Sequence, residues 1–571
     1  MPPLIPNAES SALITDDREK AFILNSQFQS AFSPKEEMTQ EDFDLRCPMP
    51  PISADQPLYE ELIITEEGVK RLLLNLDPSK ASGPDNIAPR VMNELAAELA
   101  PAFTLLYQTS LNTGVIPSEW KTAYITPVFK KGERNKPENY RPISLTSVPC
   151  KLLEHIIVST IMDYCEKNNI LCPQQHGFRR GHSCETQLLG LVDDITQTMD
   201  NGGQEDLIVL DFSKAFDKVC HSLLVNKLHH YGIRGQIQKW IKNFLVDRQQ
   251  AVMVNGEMST YVAVESGVPQ GSVLGPMLFL LFINDLPCEL TCSSRLFADD
   301  TACHNKITTR LDHDKLQEDI DKLALWEHQW NMSFNPTKCS VLHMSRRQFV
   351  HMSSYHLHGQ TIEDATHTKY LGVILSNDMK WNEHIQNATN KANKTLGFLK
   401  RNIKTSNKCA KLTAYKALVR PILEYGGAVW DPYTTESVNN IEKVQRRAAR
   451  WITNKYDADI EEDMSALGLT SLANRRKQAR LSAFYKIHHG QIKISTRIKT
   501  QLSKRRHSTR TAHSQTYNIE HSRTNYRQMS FFPRTAREWN KLPDNIVSAS
   551  SHEQFLNLLG AHRTAQHLSP A

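Results

Sequence analysis

The sequence predicts an α+β fold with a mostly helical C-terminal region, and three observations carry that prediction. The apolar run Leu207-Ile208-Val209-Leu210 ends on Asp211, as a buried strand that delivers a carboxylate to a sheet edge does. Arg295-Leu296-Phe297-Ala298 before the pair Asp299-Asp300, and Thr301-Ala302-Cys303 after it, suit two strands joined by a tight turn. Residues 384 to 420 and 437 to 453 carry basic helical patterns, so strands and helices mix in the centre while the tail is mostly helical.

Taken in order, residues 1 to 14 are rich in Pro, Ser and Asn and read as loose. Asp16 with Glu19 three residues on makes a capping-box pattern, and Leu24, Phe28 and Phe32 at i, i+4, i+8 predict an amphipathic helix. A Pro-punctuated acidic linker follows to about Pro57. Residues 66 to 112 read as helices interrupted by the turn-rich segment 77 to 85, and Tyr124 to Phe129 as a strand entering the basic loop Lys130 to Arg141. Helices are expected over 146 to 166, 184 to 200 and 221 to 247, with strands near 207 to 212, 250 to 254 and 260 to 265. A helix from about 272 to 286 precedes the Asp-Asp hairpin and another, 311 to 331, follows it; no internal repeat is present.

At 571 residues the chain is too long for one hydrophobic core, and 40% hydrophobic with 23% charged residues reads as globular and soluble. The longest apolar run, Met277 to Ile283, is too short to span a bilayer and reads as a core helix. Met1 to Pro6 lacks the features of a secretory signal, so the expected location is intracellular, in nucleus or cytoplasm, without a membrane partner. Eleven scattered cysteines argue for reduced thiols. Cys288, Cys292 and Cys303-His304 lack the paired spacing of a zinc knuckle. Charge is segregated: the first 65 residues carry 12 acidic against 4 basic side chains, residues 380 to 455 carry 15 basic against 5 acidic, and residues 471 to 519 carry 12 basic and no acidic one. Such a basic C-terminal third attracts a polyanion, with a solvated helix face as the plainer alternative.

Three carboxylates at strand ends are a means of holding Mg²⁺, which keeps several waters and prefers one or two protein carboxylates plus phosphate oxygens. Paired ions clamp both ends of an in-line phosphoryl displacement, and nucleotidyl transfer follows as the first hypothesis. Asp-Asp pairs are also common on solvated turns. Here adjacent like charges at a turn tip repel unless a cation sits between them.

In chain order stand Asp211-Phe212-Ser213-Lys214-Ala215-Phe216-Asp217, then Ser266 to Pro276 with Gln270-Gly271 at its centre, then Phe297-Ala298-Asp299-Asp300. Together these resemble motifs A, B and C of reverse transcriptases. Asn139 to Leu145, Gln175 to Arg179, Asn335-Pro336-Thr337-Lys338 and Tyr370-Leu371-Gly372-Val373 resemble the finger, motif D and motif E segments. The wording is that of non-LTR (LINE-type) retrotransposon polymerases, nearest the jockey-like group. The resemblance implies a right-hand polymerase: an N-terminal connector over 1–58, fingers and palm over 59–380, a helical thumb over 381–460 and a basic C-terminal region over 461–571.

It also implies the site. Asp211, Asp299 and Asp300 are the catalytic carboxylates, and Asp211, Phe212, Asp299 and Asp300 the metal-holding residues for two Mg²⁺ ions, with Mn²⁺ as a substitute. Phe216 lies beneath the incoming sugar, leaving no room for a 2′-hydroxyl; its alternative is a core aromatic. Gln270 and Gly271 meet the incoming nucleotide or template base, Lys130, Lys131 and Arg141 the triphosphate, and Lys338 is the motif D lysine proposed as general acid. Gln175 to Arg179 and the basic helices hold RNA template and DNA primer, and Tyr370 to Val373 the primer end. Trp430, Tyr433 and Trp451 either stack on bases or pack in the core, with packing the default. The residues ahead of the polymerase are too few for the apurinic-type endonuclease that normally precedes it, so the expectation is a polymerase lacking that domain. Two rivals stand beside it: a non-catalytic nucleic-acid-binding relic, and a viral RNA-dependent RNA polymerase, which usually shows Gly-Asp-Asp and no aromatic gate.

Overall fold

The predicted elements form, with two splits that the local sequence explains. The computed structural model describes residues 1–6, 13–33, 40–47, 49, 59, 61–455, 460–494, 513 and 515–568. Most of the acidic linker, and residues 495–512 of the basic tail, lie outside the described residues. The strands are β1 (Thr122–Phe129), β2 (Tyr140–Leu145), β3 (Gln204–Leu210), β4 (Arg248–Val254), β5 (Glu257–Met258), β6 (Val262–Val264) and β7 (Ser293–Phe297). They continue with β8 (Asp300–Ile307), β9 (Ser340–Met344), β10 (His356–Leu357), β11 (Gln360–Thr361), β12 (Glu363–Asp364), β13 (His367–Tyr370) and β14 (Val373–Ser376). The chain divides into two compact units, one of Met1–Phe178, Asp211–Leu290 and Asp319–Asn335, the other of Arg179–Leu210, Thr291–Glu318 and Pro336–Ala571.

In the first unit β2, β1, β4 and β5 lie side by side, with β6 also paired to β4. β1 is antiparallel to β2, Tyr124 opposite Leu145, and parallel to β4, Thr122 opposite Gln249. Ala123 and Ile125 alternate inward, as period-two patterning requires, and meet Ala21, Leu24 and Phe28 of the helix Asp17–Gln29. Asp16 caps that helix by accepting from the Glu19 N–H, as its sequence predicts. The loose reading of residues 1 to 14 needs correction at its described ends: Leu4 is fully buried in the same cluster and exchanges both backbone hydrogen bonds with Ile14. An apolar side chain with a core to enter outweighs Pro/Ser-rich surroundings.

The helix expected over 221 to 247 is two, His221–His230 and Gly235–Leu245, because Gly232 takes a left-handed φ of 81° that ends the first. The pattern over 384 to 420 likewise divides into Asn382–Asn402 and Lys408–Ala414, which runs on through a π turn into Arg420–Glu424. Asn407 starts the second by accepting from the N–H groups of Cys409 and Ala410.

In the second unit the sheet order is β12-β9-β3-β8-β7, with β3 central and antiparallel to β8 and β9. β3 is buried on both faces, which is why its sequence reads as a continuous apolar run. Its polar start is satisfied internally: Asp206 accepts from Tyr355 Oη (2.8 Å) and Gln204 Nε2 (2.8 Å), and Glu205 pairs with His304 Nδ1 (2.7 Å). The helix Cys184–Asp200, opened by a Ser183/Thr186 capping box, joins one core with the C-terminal helices, including Trp430, Trp451 and Trp539. The two tryptophans at 430 and 451 thus pack, while Tyr433 is 43% exposed.

The same unit narrows the reading of the tail as basic surface at its described arginines. Arg476 and Arg480 are each only 1% exposed and point Nε at opposite oxygens of Asp431 (2.7 and 3.0 Å), while Arg480 also grips Glu538 (3.0 and 3.1 Å). Arg527 is buried against Asp193. These guanidiniums neutralise internal carboxylates distant in sequence, so local composition overstates the exposed charge. Among the described residues no helix is long and apolar enough to cross a membrane, and the cysteines are free thiols.

Candidate active site

In the second unit β3 pairs with β8 from Gln204 opposite Ile307 to Leu210 opposite Thr301. The chain leaves Leu210 directly into Asp211, and on the partner strand Thr301 is preceded by Asp300 and Asp299. β7 and β8 form the predicted hairpin, Phe297 opposite Asp300, with Ala298 and Asp299 as its two-residue turn. Ala298 adopts φ 52° and is buried, an uncommon backbone state for a residue with a Cβ. Tight two-residue hairpins demand positive φ at the first central position, so this geometry is the cost of presenting Asp299 at the tip.

Within the first unit, the Asp211 carbonyl accepts from the Asn335 N–H (2.8 Å) and Ser213 N–H donates to the Ser333 carbonyl (2.8 Å). Phe212 between them is buried, its ring stacked on Phe334 at 4.0 Å. Of Phe212, then, the backbone carbonyl is the part suited to a cation. The segment opening Asn335-Pro336-Thr337-Lys338 is thereby tied to Asp211, with Lys338 exposed at the end of a 3₁₀ turn. Among the described residues no three Asp, Glu, His or Cys side chains form a closed metal cage. Carboxylates are nonetheless the ligand type that suits Mg²⁺, because that ion takes few protein carboxylates and completes its shell with water and phosphate oxygens.

Motifs A and B meet within the first unit. The short helix Ala215–Lys218 carries Phe216, whose ring stacks on Phe279 of the helix Leu274–Phe282 (centroids 4.4 Å, planes 15° apart). Val268 N–H donates to the Phe216 carbonyl (2.8 Å), and Gly267 N–H to the Val219 carbonyl (2.8 Å). Gly267 has φ 86°, and a Cβ there would stand 2.7 Å from the Phe216 carbonyl oxygen. Gly271 has φ 120°, and its Cβ would lie 2.5 Å from the Ser144 carbonyl oxygen on β2, so the predicted close backbone approach is to a neighbouring strand. Ser144 N–H in turn donates to the Gln270 carbonyl (2.7 Å). Arg141 lies on β2 and Lys130 and Lys131 just beyond β1, all three exposed.

Several side chains that brace these motifs escaped the sequence reading. Gln270 Nε2 donates to Asp217 Oδ1 (2.8 Å), Ser266 Oγ to the Asp217 carbonyl (2.7 Å) and His221 Nε2 to the Gly267 carbonyl (2.8 Å). Burial raises the Asp217 carboxyl pKa, against the opposing pull of Gln270 and Lys214. Fully buried Glu154 accepts from the N–H groups of Val273 and Leu274 (2.7 and 2.9 Å), anchoring the start of the helix after motif B. Burial raises its pKa too, opposed by those two N–H groups and Arg248. Asp217 and Ser266 stand inside the quoted motifs, so their position was the available signal; Glu154, over a hundred residues away, had none.

Gln175 and His176, expected to hold template, are buried, and Gln175 Oε1 accepts from the Gly177 N–H (2.7 Å), which makes it a turn-former; Phe178 is the 54%-exposed residue of that segment. In the second unit β13 and β14 form the expected hairpin, Tyr370 opposite Val373, with Leu371 and Gly372 at its turn. Tyr370 is buried, and Tyr425 Oη donates to the Leu371 carbonyl (3.0 Å), bracing the turn.

Residues 128–375 match the family model of the reverse transcriptase (RNA-dependent DNA polymerase). The chain is 29% identical over 472 residues to the probable RNA-directed DNA polymerase from transposon BS of Drosophila melanogaster, covering 77% of this chain and 50% of that protein. It is 29% identical over 418 residues to the RNA-directed DNA polymerase from mobile element jockey of the same fly (70% and 45%), and 28% over 403 residues to the probable polymerase from transposon X-element (67% and 43%). The chain thus spans about half the length of the curated relatives it matches. With motifs A, B and C in order on the elements described, residues 128–375 form a reverse transcriptase domain of the kind carried by non-LTR retrotransposon polymerases.

Proposed function

We propose that the chain is an RNA-directed DNA polymerase of a non-LTR retrotransposon, adding dNTPs to the 3′-hydroxyl of a DNA primer on an RNA template. One observation carries the reading: the β3–β8 register ends with Leu210 opposite Thr301, where Asp211 follows the one and Asp299-Asp300 precede the other. Asp211 and Asp299 would hold two divalent ions, Mg²⁺ or Mn²⁺, with Asp300 in support and the Phe212 carbonyl as a further donor. When bound, such a pair would activate the primer hydroxyl and neutralise the departing pyrophosphate. Phe216, Gln270 and Gly271 line the nucleotide's sugar and base, Lys130, Lys131 and Arg141 its phosphates, and Lys338 supplies a proton to the pyrophosphate. In the right-hand scheme β3, β7, β8 and β9 are palm, β1 and β2 fingers, and the basic helices from Asn382 a thumb along template and primer.

Primer extension on an RNA template with Mg²⁺ and dNTPs tests this. Wild type extends the primer, whereas Asp299→Asn keeps the circular dichroism and melting profile of the wild type and loses at least about 10³-fold in rate, because the missing charge acted on the transition state. Near-normal incorporation by Asp299→Asn would refute the assignment. A folded wild type that binds RNA and extends nothing would mark the chain as a binding relic.

A further inference from the structure

We propose that Asp217 is the positioning residue that sets the orientation of the Gln270 side-chain amide, and with it the hydrogen-bonding face offered to the incoming nucleotide. The inference rests on the reading of Gln270 as a nucleotide contact and adds a residue to which no role has been given.

A carboxamide has two unlike ends, a carbonyl that accepts and an NH₂ that donates, and a half-buried Gln with no fixed neighbour presents either. An ionised carboxylate only accepts. Placed 2.8 Å from Gln270 Nε2, Asp217 Oδ1 therefore selects one of the two flips, leaving Oε1 and the second N–H for a substrate. Asp217 is itself held. Its carbonyl accepts from Ser266 Oγ (2.7 Å), and Ser266 Oγ accepts from the Ser33 N–H (2.8 Å), beyond the N-terminal helix. Its own N–H donates to the Lys214 carbonyl (3.0 Å). The backbone around Gln270 is pinned as well, by Ser144 on one side and by the bond from Val268 to Phe216 on the other. Asp217 and Gln270 also line one small cavity of about 30 Å³, a space for water rather than for a nucleotide. With main chain and partner both fixed, amide orientation is the freedom that remains, and Asp217 removes it.

Steady-state primer extension with the full chain tests the assignment through kcat and the KM for dNTP in wild type, Gln270→Ala, Asp217→Ala and the double variant. One hydrogen bond to a charged group corresponds to about tenfold in KM. Gln270→Ala and Asp217→Ala should each raise KM by that factor with kcat within about threefold, and the double variant should be no worse than Gln270→Ala alone. Asp217→Asn keeps the shape and guards against a folding defect: an amide offers Gln270 either end, so two flips become populated and KM rises about twofold, a rise that disappears in the Gln270→Ala background. Factors that multiply in either double variant would overturn the proposal, since Asp217 would then act independently of Gln270. An unchanged KM for Asp217→Ala beside a raised one for Gln270→Ala would overturn it alone. An unchanged KM for Gln270→Ala would instead strike the reading of Gln270 itself, and the proposal with it.

Discussion

Phe216 owes its ring plane to Phe279, a fully buried side chain two turns from the Gln270 loop, so the discrimination against a 2′-hydroxyl proposed for it would be a matter of packing. A ring stacked at 4.4 Å cannot swing aside to admit an extra oxygen without losing that contact. Phe216→Val shortens the side chain and opens the space, so the ratio of kcat/KM for dNTP over rNTP should fall by about 10²-fold, measured by single-nucleotide extension; an unchanged ratio would return Phe216 to the core. At this scale residue type was legible and environment was not. Asp217 reads as one more acidic residue in a motif until its Oδ1 is found beside Gln270, and Gln175 reads as a template contact until its side chain is found closing its own turn. Side-chain partners distant in sequence leave no local trace.

The β13–β14 hairpin gains its rigidity from the helices that follow it. Ile374 N–H donates to His384 Nδ1 (3.2 Å), and the imidazole meets Trp430 edge-on at 4.8 Å. Burial, with Lys369 adding to it, pulls the His384 pKa down to about 4. Only the neutral ring can accept, so protonation breaks the bond. The unfolded chain titrates near 6.5 and binds more protons than the folded one between the two values; the contribution is full above pH about 6.5 and is lost as pH falls toward 4. It amounts to roughly 3 kcal/mol at full strength. Urea unfolding of wild type and His384→Gln across this range checks it: the wild type should lose stability more steeply on acidification, and parallel curves would refute the role. Elements themselves were largely legible. The breaks at Gly232 and before Asn407 were missed, although their backbone and capping preferences are local, whereas β3 announced burial on both faces by its unbroken apolar run.

For the molecule as a whole, the net charge of +5 divides into cations that face solvent and cations spent inside. Lys391 and Lys394 on the helix Asn382–Asn402 are exposed, whereas Arg476 and Arg480 are sealed against Asp431 and Glu538. Binding to a primer–template should weaken by about 10²-fold between roughly 50 and 200 mM salt, as about four phosphate contacts require. Replacing Lys391 and Lys394 together by Ala should lower the slope of log affinity against log salt by about one per residue. Arg480→Ala should leave that slope unchanged and cost about 3–5 kcal/mol of stability, because it strands buried carboxylates; a reduced slope instead would place Arg480 on the binding surface. Periodicity and the wording of short segments were enough for the mixed α/β class, the motifs and the Asp-Asp hairpin, and they motivate the proposed nucleotidyl transfer, since each of these patterns lies within a few consecutive residues. Which arginines turn inward, that the N-terminal helix completes a core, and that Asp217 holds Gln270 became visible only in three dimensions, because those depend on pairings across tens to hundreds of residues that no local pattern encodes.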